Sequence, residues 1–64
     1  MKVRIQGKIH GQNERTGKWH SRQVSFIADS TDAWIDIVDR GIEIAHKANP
    51  NIDWMDDDLQ EVTN

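Results

Sequence analysis

The chain has no cysteine, which removes disulfides and thiolate metal sites from the devices that could staple a 64-residue domain. A chain this short buries a limited share of its surface, so its stability must come from its own core, an oligomer or a partner. Long apolar runs are also missing. No stretch approaches membrane length, and the opening segment, MKVRIQGKIHG, is too polar for the apolar core of a signal peptide. These absences lead to the expectation of a soluble, cytoplasmic protein that makes no membrane contact.

Catalytic and metal-binding signatures are lacking too. There is no HExxH, no cysteine pair and no Asp-x-Asp-x-Asp-Gly loop, and His10, His20 and Asp56-Asp57-Asp58 fit no ligand spacing. The stretch GQNERTGK from Gly11 to Lys18 imitates a phosphate loop, but it has five residues between its glycines instead of four, and Trp19 stands where Ser or Thr should meet magnesium. No serine or threonine has a base and an orienting group placed for it by the sequence. The expectation is a non-enzyme with no cofactor and no metal.

What the chain does have is charge divided along its length. Residues 1–28 carry six Lys and Arg against Glu14, a balance of +5, while residues 29–64 carry ten acids against Arg40 and Lys47, a balance of -8; the total is -3. Such a division points either to charged partners or to two parts that attract each other within one fold.

Hydrophobic periodicity orders the elements. Val3, Ile5 and Ile9 alternate with Lys2, Arg4, Lys8 and His10, the period-2 pattern of a half-buried strand. Lys18 to Ala28 reads as a second strand. A four-residue loop at Asn13–Thr16 would pair Val3 with Phe26 and Ile5 with Val24, leaving Arg22 and His20 on the inner face, either beyond the helix end or re-aimed by a bulge. Asp32 to Ala48 reads as one amphipathic helix, opened by the capping types of Asp29-Ser30-Thr31-Asp32 and ended by Asn49-Pro50-Asn51. Its apolar residues span half the circumference, more than a hairpin alone would cover, so a third strand or a second subunit should complete the cover. Gly41 lies inside that arc, where it costs about 1 kcal/mol relative to alanine and calls for close approach of another backbone. Ile52 and Trp54 suggest a short third strand, and residues 56–64 are compatible with a helical turn, an extended edge or disorder. The predicted architecture is a single α+β domain over residues 1–64: a small two-layer fold, order ββα(β), with an antiparallel hairpin and a third strand packed on one helix.

Two surfaces could carry function. Asp32, Asp36, Asp39 and Glu43 are spaced 4, 3 and 4, which puts four carboxylates in one row opposite the apolar arc, about 4.5–6 Å apart along the axis at ~1.5 Å rise per residue. Few Lys or Arg sit at i,i+4 to neutralise them, Arg40 for Asp36 and Lys47 for Glu43. The row suits a protein partner with a basic surface, and its spacing is near that of phosphates on one nucleic-acid strand. The sharpest form of the reading is a small acidic inhibitor of a nucleic-acid-binding complex, a nucleic-acid mimic of the kind mobile elements encode. The first alternative is a nucleic-acid-binding module using Lys2, Arg4, Lys8, His10 and Trp19 on the hairpin face, with Arg15 and Lys18 in the turn, where Trp19 would stack on a base. The second is a structural homodimer joined through the wide apolar arc.

Arg15-Thr16-Gly17-Lys18, followed by a strand ending in Val24-Ser25-Phe26 and then a helix, resembles the arm-type DNA-binding domains of tyrosine recombinases. That resemblance covers about half the chain and implies a small sheet with one helix that binds DNA. The acidic helix and tail depart from it.

Overall fold

The computed structural model describes residues 1–62; Thr63 and Asn64, the end of the tail, lie outside the described residues. The order is β1 (Lys2–Asn13), β2 (Trp19–Asp29), α1 (Trp34–Ala48) and β3 (Ile52–Val62). The strands form one antiparallel sheet in the order β2-β1-β3, so the basic first strand is central and the acidic last strand is an edge.

The sheet faces agree with the alternation, but the hairpin pairing is displaced by two residues. Val3 lies opposite Ala28, Ile5 opposite Phe26 and Gly7 opposite Val24, in place of the expected Val3–Phe26 and Ile5–Val24. The turn explains the shift. Asn13 stays in the ladder, its side-chain oxygen accepts from the N–H groups of Arg15 (2.8 Å) and Thr16 (3.1 Å), and Gly17 takes a positive φ of 73°. Asn13 therefore closes the turn with Lys18, donating to its carbonyl at 2.9 Å. An even shift leaves every side chain on its predicted face, whereas an odd one would have turned the core outward.

The third strand is longer than its apolar residues indicated. Asp56 to Val62 continues it as an extended edge, pairing with β1 down to Arg4, across an irregularity between His10 and Gly11. Gly7 and Gly11 make this docking possible. A Cβ on Gly7 would fall 2.1 Å from the carbonyl oxygen of Asp58, and one on Gly11 2.6 Å from that of Asp53.

The helix begins two residues later than expected. Its N-cap is Ala33, with no side-chain cap. The capping-type residues build the preceding turn instead. Asp29 accepts from the backbone N–H (2.9 Å) and hydroxyl (2.7 Å) of Thr31, and Asp32 accepts from the N–H of Asp29 at 3.0 Å. The two Thr31 bonds hold the Asp29 carboxyl below its ordinary pKa of 3.8, the backbone donor contributing most and the hydroxyl next. Because the folded value is the lower one, the stabilisation is present above pH 3.8 and is lost as pH falls through the depressed folded value. Thr31→Val should raise the Asp29 pKa part of the way back in a carboxyl NMR titration, since the backbone donor remains. An Asp29 already titrating at or above 3.8 in the wild type would contradict this turn.

The core lies between helix and sheet. Ile37, Gly41 and Ala45 of α1 are buried against Ile5, Ile9, Val24, Ala28, Ile52, Trp54 and Leu59. What approaches Gly41 is not a backbone: a Cβ there would meet the side-chain tips of Leu59 at 3.0 Å, Ile9 at 3.3 Å and Phe26 at 3.5 Å. The indole N–H of Trp54 donates to the Asn49 carbonyl at 3.2 Å and ties the helix end to β3. Arg22, on the helix face of the sheet, reaches the helix end and donates to Asn49 Oδ1 at 3.2 Å. Even with a third strand, the flanks of the apolar arc stay in solvent, with Ile35 70 % exposed. No helix among the described residues is long and apolar enough to cross a membrane.

Candidate functional site: an acidic helix face and groove

Of the four carboxylates in the expected row, three lie on the helix. Asp32 sits in the turn before it, bonded to the Asp29 N–H and 3.9 Å from Arg40 Nη1. Glu43 pairs with its i,i+4 lysine, Lys47 Nζ lying 3.6 Å from its carboxylate, whereas Arg40, i,i+4 from Asp36, turns to Asp32 and the Ile27 carbonyl instead. Both ion pairs are between largely exposed groups, and such pairs are worth about 0–1 kcal/mol. Asp36 and Asp39 are exposed and make no ion pair among the described residues.

The helix face does not end at the helix. Asp39, Ile42, Glu43 and His46 border an open groove of about 470 Å³ whose other wall is the start of β3, Ile52, Asp53 and Trp54, with Glu14 from the hairpin turn and Pro50 closing it. Ile52 and Trp54 are buried and Ile42 half-buried, while Glu14, Asp39, Glu43 and Asp53 are exposed. Acidic residues from three separate segments thus line the groove around an apolar strip. Glu14 and Asp53 escape a reading of the sequence because they join the helix row only once β3 pairs with β1; the helical period carries no trace of them.

Arg40 has a structural position. Its Nη2 donates to the Ile27 carbonyl at 2.9 Å and its guanidinium lies 5.2 Å from the Phe26 ring centroid. It clips the helix to β2 and draws Asp32 with it.

The basic residues named for nucleic acid do share a surface, but not alone. Lys2, Arg4, Lys8 and His10 point to the solvent face of β1, Trp19 stands on the same face of β2 at 61 % exposure, and Arg15 and Lys18 are in or beside the turn. On the other side of β1, Asp58 is directly opposite Lys8 and Asp56 opposite His10. The acidic edge strand thus sets one aspartate beside Lys8 and one beside His10 on the basic face. The same row places Ser21, His10 and Asp56 on three adjacent strands, with Ser21 Oγ 2.8 Å from His10 Nδ1. Asp56 turns away and accepts from the Asp57 N–H at 2.9 Å. His20 is opposite Gly11 on the other face, and no cluster of three or more metal-ligand types occurs among the described residues.

The fold and these surfaces define a small ββαβ domain with an acidic helix face beside an apolar groove. Compared with known families, curated proteins and solved structures, the chain matches none.

Proposed function

We propose that the protein is a non-enzymatic interaction module that binds the basic surface of a protein partner. Asp36, Asp39 and Glu43 would make the primary contact, with Glu14 and Asp53 across the groove. The observation that carries this reading is the pair Asp36 and Asp39, exposed and without an ion pair among the described residues, of which Asp39 borders an apolar strip that other acidic residues also line. Rim charges of one sign accelerate encounter with a basic partner, and the apolar strip supplies area that charge alone would not. Asp32, drawn towards Arg40, is left a marginal role.

The narrower form is an inhibitor that occupies a basic groove meant for nucleic acid. The spacing of Asp36, Asp39 and Glu43, about 4.5 and 6 Å along the axis at ~1.5 Å per residue, supports it. Reversing Asp36 and Asp39 to lysine should lower capture of the partner from nuclease-treated lysate at least tenfold, and salt should weaken the wild-type complex. Unchanged capture by the reversed variant would overturn the reading. Salt-sensitive binding of short DNA or RNA, lost in Lys8→Glu or Trp19→Ala, would move the function to the basic face instead.

A further inference from the structure

The two edges of the sheet are finished differently. In β3 the odd-numbered residues Asp57, Leu59 and Glu61 aim their N–H groups away from β1, because the even-numbered ones pair with it. Two of the three are satisfied locally: Asp57 N–H donates to Asp56 Oδ1 at 2.9 Å, and Leu59 N–H to Asp57 Oδ2 at 3.3 Å. Five acids and a register irregularity guard the same strand. Charges, bulges and local caps are the usual protection of an edge.

The β2 edge has little of this. The bonds Asn13 N–H to Lys18 O and Ser30 N–H to Met1 O set the phase of the ladder, so Trp19, Ser21, Gln23, Ser25 and Ile27 turn their backbone groups outward. No side chain among the described residues caps their N–H groups, and only one of their carbonyls, that of Ile27, is met, by Arg40. None of these five carries charge, and no proline or bulge interrupts them.

We propose that β2 pairs antiparallel with β2 of a second copy of this chain, centred on Gln23, to make a six-stranded sheet with both helices on one side. The centre follows from the side chains. Trp19 and Ile27, 61 % and 48 % exposed on the solvent face, stand equally far from Gln23, so a two-fold axis there places each Trp19 against the other copy's Ile27. The same axis lays the basic turn of one copy, with Arg15 and Lys18, beside the Asp29–Asp32 turn of the other. The β3 edge could not self-pair this way without stacking its aspartates. Arg40 need not leave, because the Ile27 carbonyl has a second lone pair. The interface is separate from the acidic groove, which borders β3.

Sedimentation equilibrium over a concentration series tests this on the full chain, with cysteine variants to read the register. The wild type should pass from 7.4 kDa to twice that mass. Ile27→Lys should weaken the dimer at least tenfold, as should Gln23→Pro, which removes an outward N–H without touching the β1 ladder; both should keep the wild-type circular dichroism. Gln23→Cys should form an intermolecular disulfide, since facing Cα atoms in such a pair are about 5.5 Å apart, whereas Ser21→Cys alone should not and should cross-link only when mixed with Ser25→Cys. A wild type that stays monomeric, or cross-linking that ignores register, would overturn the proposal.

Discussion

Gly7→Ala should unfold the protein or cost at least about 3 kcal/mol, which is much of the ~3–9 kcal/mol available to a domain of this size. Gly7 has φ 153°, outside the range of an L side chain, and the added Cβ would lie 2.1 Å from Asp58 O and 2.9 Å from Leu59 Cα. Those atoms are backbone, so no side chain can rotate away; β1 and β3 must separate. Separation would also remove Ile52, Asp53 and Trp54 from the groove wall. Gly17→Ala provides the contrast. Its φ of 73° is also positive, but the nearest neighbour of a Cβ there is the Gln12 side chain at 3.8 Å. Only the left-handed backbone is at stake, and the loss should be about 1–2 kcal/mol. Thermal or urea unfolding of the two variants separates steric conflict from backbone preference: similar losses would mean that β3 does not dock so closely on β1.

These glycines also mark the limit of what the sequence discloses. The face of each strand was legible because alternation is local: Ile5 and Ile9 are buried and Arg4 and Lys8 exposed as the period requires. The pairing of Val3 was not, because it depends on whether Asn13 lies in the turn or closes it, and both choices keep the apolar residues on one side. Asp29 to Asp32 suits a helix cap and an Asx-type turn equally well, and the choice falls to the turn, where Asp29, Thr31 and Asp32 satisfy one another. Asp56-Asp57-Asp58 has poor strand propensity; its extended form arises from pairing with the basic central strand, a long-range contact no window of sequence contains. The candidate site divides the same way. Asp36, Asp39 and Glu43 follow from helical period, whereas Glu14 and Asp53 reach the groove through strand order.

Ile9→Ala should be the largest loss among single truncations in the core, about 2–5 kcal/mol. Ile9 is fully buried near the middle of β1, and its tip lies 3.3 Å from where a Cβ on Gly41 would stand. Collapse around the deletion is restricted on both sides by strands hydrogen-bonded to β1, so the cavity stays open and adds to the lost transfer energy. The closeness of Gly41 makes a second measurement informative. Gly41→Ala alone gains about 1 kcal/mol of helix propensity but presses a methyl group against the tips of Leu59 and Ile9 at 3.0 and 3.3 Å. Ile9→Val withdraws one of those tips. The double variant Ile9→Val, Gly41→Ala should therefore be more stable than the sum of the single effects predicts, by about 0.5 kcal/mol or more, in a double-mutant cycle from denaturant unfolding. Strict additivity would mean that the helix stands further from β1 than this contact places it, and that Gly41 is tolerated in α1 for a reason other than packing.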